Sequence, residues 1–298
     1  MNDRFQVKLP RALSKVPILF ILSWLIPLIG NATQVASSKS HHNNMVHAGT
    51  RATSSSIFLP YKANYVLPFY YTGLRNSTLQ GPDGLKNLHT EINFQISLQA
   101  KIWSHILGTN WSLYGAYTQH AFWQGYNETA YFRDTNYEPS GFFAYQLEQN
   151  SIHLNNVAMG LVHQSNGLGG DLERSWNRIF VRFLFQPNQH WLIRVKPWIR
   201  VHNVGEGKDY NPDIEHYLGH YAIYVSYKKY HNVWTLHLQN NLESGFQRGT
   251  VEARWTFPLH QGLRGMVKIF SGYGQSMISY NHYTNGIGIG FNVTDWML

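Results

Sequence analysis

The residues best suited to chemistry lie in the stretch "NNVAMGLVHQSNG", 155–167. Val157, Met159 and Leu161 alternate with Ala158, Gly160 and Val162, the period of a strand, and the same parity continues to His163 and Ser165. Side chains at i and i+2 of a strand share one face, with backbones ~6.6 Å apart, so they are close enough for a hydrogen bond. A serine hydroxyl is a weak nucleophile until a base takes its proton, and neutral histidine is such a base. The base in turn needs a third group to fix its tautomer. In the next run Ile179, Val181, Phe183 and Phe185 form the apolar face, and Asn177 has their parity. An ionised aspartate would hold an imidazolium more strongly, but it would set a charge beside hydrocarbon. The neutral amide oxygen of Asn177 is the milder choice.

The elements that position these residues are strands. In "INFQISLQAKI", Ile92, Phe94, Ile96, Leu98 and Ala100 oppose Asn93, Gln95, Ser97, Gln99 and Lys101. In "VEARWTFPL" and "WLIRVKPWIR" an aromatic and aliphatic face likewise opposes Glu252, Arg254, Arg194, Lys196 and Arg200. Period two with two unlike faces is the mark of strands. About twelve such runs follow one another, near 63–72, 90–102, 111–123, 139–148, 155–165, 177–186, 190–201, 217–229, 232–241, 250–258, 263–272 and 286–294. Long connections (124–138, 166–176, 202–216, 273–285) alternate with short ones such as "QPNQ" and "KYH". That asymmetry, an even strand number and an apolar outer face fit a twelve-stranded antiparallel transmembrane β-barrel of the bacterial outer membrane, all-β in class. Twelve strands enclose a narrow lumen filled by side chains.

Composition agrees with an exported chain. There are 298 residues, no cysteine, 13% charged residues and 15% aromatics. The absence of cysteine excludes a disulfide framework, a thiolate metal site and a cysteine nucleophile. The net charge of +8 would suit an acidic partner, but the lysines and arginines are scattered without a run of five, so no nucleic-acid partner is expected. Arg4, Lys8, Arg11 and Lys15 precede the apolar "VPILFILSWLIPLIG" and the small residues Gly30 and Ala32. That order is a signal peptide, expected over residues 1–32 with cleavage at 32–36. A polar, flexible tail over 37–60 and one barrel domain over 61–298 complete the expected organisation.

In that register His163, Ser165 and Asn177 face the bilayer near the long-loop end, where polar groups are costly and point to function. The bland alternative has the three lying high enough to be solvated or to anchor at head-group level, in a non-catalytic channel or adhesin. A secreted β-sandwich is a second alternative.

The same residues resemble the outer-membrane phospholipase A family. The likeness runs over about residues 90–298 and is carried by "HQSNG" at 163–167 and "RSWNR" at 174–178. "FRDTNYEP" at 132–139, "VKPW" at 195–198, "NPDI" at 211–214 and "SGYGQSMISYN" at 271–281 add to it. The resemblance implies a calcium-dependent phospholipase A (A1, A2 and lysophospholipase activity) that hydrolyses membrane phospholipids. Ser165 would be its nucleophile, His163 the base, Asn177 the orienting residue and Gly167 the oxyanion donor. It further implies activity as a homodimer, with Gln119 pairing across the interface and Ca2+ bridging two subunits. At the metal site Leu168 stands at a carbonyl position and Thr129 at a loop position that reaches the partner's metal. The family's aspartate and serine positions hold Gly170 and Glu173, with Asp171 one residue later. A calcium site rebuilt around Asp171 and Glu173 is therefore expected.

Overall fold

The computed structural model describes residues 58–298 except 74–80, 82–83, 149, 203–207, 261–262 and 294–298. The expected signal peptide and the tail as far as residue 57 lie outside the described residues. Thirteen strand segments are present: β1 Phe58–Pro60, β2 Tyr65–Thr72, β3 Thr90–Trp103, β4 Trp111–Gln124, β5 Tyr131–Gln146, β6 Leu154–Ser165, β7 Ser175–Asn188, β8 Trp191–Val201, β9 Tyr221–Lys229, β10 Asn232–Gln239, β11 Thr250–His260, β12 Leu263–Gly272 and β13 Thr284–Asn292. Strands β2 to β13 pair in sequence order, and β13 pairs back onto β2, which closes a twelve-stranded antiparallel barrel.

Each strand alternates as its sequence does. Outward-facing Ile96, Met159, Leu161, Ile179, Ile199, Ile269 and Ile287 are exposed, whereas inward-facing Glu91, Asn93, Ser97, Arg178 and Lys268 are buried. This is the reverse of a soluble sandwich and the pattern of a barrel that meets lipid. The interior is packed. Tyr61, Phe142, Phe180, Trp176 and Trp198 form one cluster and Tyr65, Leu67, Tyr70, Phe122 and Met266 another.

Three boundaries depart from the sequence reading. First, β5 begins at Tyr131, not near 139, so much of the expected 124–138 loop is strand. Proline lacks an N–H and normally marks a strand edge. Here Pro139 sits inside β5, where pairing with β6 lapses between Tyr137↔Ser165 and Ser140↔Val162. Second, 217–220 is not strand. A short helix, α1 (Ile214–Leu218), precedes β9 and ends at Gly219, whose φ of 58° is left-handed. Third, Phe58–Pro60 pair with β3 ahead of the expected barrel start at 61. β1 and β2 lie along the same edge of β3 and are separated by a kink at 61–64. There Asn64 replaces the missing ladder bonds, accepting from Ser97 N at 2.5 Å and donating to Ser97 O at 3.1 Å.

Candidate active site

The β6–β7 register sets His163 directly opposite Asn177 and Ser165 opposite Ser175. His163 Nδ1 and Asn177 Oδ1 are 2.8 Å apart. An amide oxygen can only accept, so Nδ1 carries the proton and Nε2 keeps a free lone pair. Ser165 is two residues on, on the same outer face, and half-buried. No hydrogen bond joins Ser165 Oγ to His163 among the described residues. Such contacts commonly tighten only when a substrate is bound.

A single row crosses the outer wall at this level. Ile96 opposes Gln119, Gln119 opposes Tyr137, and Tyr137 opposes Ser165. At about 4.8 Å per strand, Gln119 lies two strands, ~10 Å, from Ser165. Its Oε1 accepts from Tyr117 Oη at 3.4 Å.

Beside His163 and Asn177 runs a groove of about 860 Å3, floored by Ala100, Gly115, Ala116, Ser140, Gly141 and Leu161. Gly115 and Gly141 are direct cross-strand partners. A Cβ on Gly141 would meet nothing within 4 Å. The paired glycines thus leave the wall shallow where larger residues would project.

Gly167 follows the serine with φ +67°, and a Cβ there would stand 2.8 Å from Tyr137 Cε2. Backbone conformation and space both require glycine. The turn around it is organised by Asn166, which is only 3% exposed. Its Oδ1 accepts from Leu168 N at 3.3 Å and Arg174 N at 3.0 Å, and its Nδ2 donates to Leu172 O at 2.9 Å. Asn211 does the same for the start of β7. It donates to Ser175 O at 2.9 Å and accepts from Ser175 N at 2.9 Å. Neither asparagine was singled out from sequence, although both lie in stretches already noted, "HQSNG" and "NPDI". Burial of an asparagine amide against backbone was the signal, and burial is not visible in a sequence.

The expected metal donors are less assembled. The Asp171 side chain is 93% exposed and lies 3.3 Å from Lys208 Nζ. Glu173 Oε1 accepts from Ser175 Oγ at 3.5 Å. Arg174 donates to the carbonyls of Asp171 at 2.9 Å and Glu173 at 2.6 Å. Leu168 is exposed, as is Thr129 on the 125–130 loop, and no hydrogen bond links Thr129 to 166–174 among the described residues. No group of three or more histidine or acidic side chains able to hold a metal occurs among the described residues.

Residues 42–293 match the family described as Phospholipase A1. The chain belongs to that family. It is 36% identical over 244 residues to a Klebsiella pneumoniae phospholipase A1, covering 80% of this chain and 83% of the relative. The structure of outer membrane phospholipase A from Escherichia coli superposes with a TM-score of 0.73 at 34% identity, covering 80% of this chain and 99% of that one. An active-site mutant of the same Escherichia coli protein, an asparagine changed to alanine, matches with a TM-score of 0.74 at 32% identity, over 83% of this chain and 95% of that one. The Salmonella typhi outer membrane phospholipase, a dimer with bound calcium, matches with a TM-score of 0.73 at 33% identity, over 82% and 94% of the two chains. This chain is thus a phospholipase of the bacterial outer membrane.

Proposed function

We propose that the phospholipase cleaves acyl esters of glycerophospholipids from the outer wall of the barrel, with Ser165 as nucleophile, His163 as general base and Asn177 as orienting residue. The observation that carries this reading is the His163–Asn177 hydrogen bond on a lipid-facing wall, with Ser165 on the same face and an apolar groove alongside. An active-site asparagine in the Escherichia coli relative lends support.

A phospholipid lies with its acyl chain along the groove and its ester at the rim, so no aqueous pocket is needed. His163 Nε2 takes the proton from Ser165 Oγ, which attacks the ester carbonyl. The Gly167 N–H donates to the oxygen as negative charge builds on it. Asn177 holds the imidazole in the tautomer that can accept, and stabilises it once charged. His163 then gives the proton to the departing lysophospholipid oxygen. Water, deprotonated by the same histidine, releases the fatty acid from Ser165.

Calcium belongs to the same proposal. Asp171, Glu173 and the Leu168 carbonyl are hard oxygen donors of the kind calcium prefers, on the loop that follows the nucleophile. A cation held by these residues would supply positive charge to offset the negative charge that develops on the ester oxygen. The resemblance to the family would add Thr129 of a second copy to the residues that hold the cation. Pairing through Gln119 and the glycine-lined wall would join two grooves into deeper clefts. Calcium dependence and activation by dimerisation then have one cause. The test is fatty-acid release from phospholipid micelles, with calcium or chelator, across protein concentration. Activity per barrel should rise with concentration and fall in chelator, and Asp171→Asn with Glu173→Gln should need more calcium. Activity indifferent to both would remove the metal and the dimer from the account.

A further inference from the structure

The stretches "HQSNG" and "RSWNR" also carry residues of the opposite parity, for which the outer wall has no use. Gln164, Trp176 and Arg178 line the lumen. Gln164 separates the base from the nucleophile. Trp176 and Arg178 are the two chain neighbours of Asn177, and both are buried. Gln164 is the ladder partner of Trp176, and Arg178 lies on its diagonal. The Gln164 Oε1 accepts from Trp176 Nε1 at 3.0 Å and from Arg178 Nη2 at 2.8 Å. One amide oxygen thus holds both residues that flank Asn177.

Aromatic rings fix the cation in turn. The Arg178 guanidinium lies 4.0 Å over the Trp176 ring and 5.2 Å from that of Trp198, and a ring face attracts a cation. Trp198 is itself held by a hydrogen bond from its Nε1 to Gly219 O at 2.8 Å. The other flank of β6 offers less. Its ladder with β5 lapses between Tyr137↔Ser165 and Ser140↔Val162, opposite His163 and Gln164. Pro139 falls in that gap and has no N–H to donate. His163 and Gln164 are therefore laddered on the β7 side alone among the described residues. The two bonds to Gln164 Oε1, one of them charge-assisted, resist sliding of β6 against β7 at this level.

We propose that Gln164 is a positioning residue of the Ser165 site, clamping β6 to β7 through Trp176 and Arg178 so that His163 and Asn177 stay bonded. The inference rests on the catalytic reading above. Gln164 acts from the lumen through the backbone and touches neither substrate nor reacting atoms. A misplacement of about 1 Å can cost on the order of a hundredfold in rate, so loss of the clamp should be visible in kcat.

The test uses the refolded full chain in detergent micelles. Gln164→Leu removes the acceptor at similar size, and kcat should fall about tenfold with KM little changed. Gln164→Glu restores an acceptor oxygen and should recover most of the loss. In an Asn177→Ala background Gln164→Leu should cost less than about twofold, because the pair it aligns is gone. An equal cost in both backgrounds would mean a general effect on the barrel and overturn the proposal. The second readout needs no catalysis. Nitrogen-15 histidine spectra at alkaline pH, with His163 assigned by its loss in His163→Gln, report which ring nitrogen carries the proton. Wild type should show Nδ1–H, and Gln164→Leu a mixture of the two tautomers. The same tautomer in both proteins would overturn the clamp whatever the kinetics. Equal release by wild type and Ser165→Ala would instead remove the catalytic reading, and the tautomer would decide the clamp alone. Should Gln164→Leu not fold, Trp176→Phe, which deletes one donor and keeps a ring, is held to the same criteria.

Discussion

Ser165 differs from neighbouring serines in what its strand sets beside it. Ser175 faces it across the ladder and has no histidine at i−2, whereas Ser165 has His163 there, with Asn177 bonded to the far nitrogen. His163→Ala is expected to cost about 10⁴-fold in kcat, because base and nucleophile act as a unit. Asn177→Ala leaves both reacting groups in place and should cost less, on the order of a hundredfold, measured as kcat in mixed micelles. Gly167→Ala forces a left-handed residue that costs about 1–2 kcal/mol and crowds Tyr137. Its activity should fall about a hundredfold or more while the barrel stays folded, as checked by heat-modified gel mobility. At this scale the sequence was informative because parity alone decides the face of a strand residue. The donors around Asp171 were harder to read. Their arrangement depends on Arg174 and Lys208, whose contacts arise from folding of a loop without period.

The unit that positions the chemistry is the β6–loop–β7 hairpin with Asn166 at its centre. Asn166→Ala removes three hydrogen bonds from a buried position, at about 1 kcal/mol each. It should loosen residues 167–174, seen as faster amide exchange there, lower kcat, and lower Tm by several degrees. Strand boundaries were legible where turns are short, as at β7–β8 and β9–β10. They failed where the chain breaks a habit. Proline within β5 and the helix at 214–218 both follow from tertiary packing, which local preference does not record. A second loop contact is sensitive to pH. His220, in the segment between α1 and β9, lies 2.8 Å from Glu243 and 3.2 Å from Glu215. The hydrogen bond that Glu243 accepts from the ring and the charge of both carboxylates raise its pKa above the ordinary histidine value. A raised pKa means the stabilisation is complete below about pH 6.5, the unfolded value, and fades as pH rises through the folded one. The ring is half exposed, so screening limits the effect to at most about 1 kcal/mol. Wild type should lose its small Tm advantage over His220→Gln between neutral and alkaline pH; an advantage that grows with pH would contradict this.

At the scale of the molecule, the barrel inverts the usual arrangement of an enzyme. Its packed, charged interior is a scaffold, and the reacting groups stand on the face turned to lipid. The alternation of the strands made that inversion readable, since charges of both signs repeatedly share the face opposite the aromatics. The groove beside His163 was not readable, because it arises from Gly115 and Gly141 meeting across β4 and β5. Filling it should therefore act on substrate. Gly141→Leu has open space for its side chain and should raise KM for long-chain phospholipids at least several-fold, with a smaller effect on short-chain esters. The measurement that tests the central claim most directly is fatty-acid release from phospholipid micelles with calcium, for refolded wild type and Ser165→Ala. The account predicts release by wild type and a fall of about 10⁴-fold or more in a folded Ser165→Ala barrel. Comparable release by both proteins would contradict it.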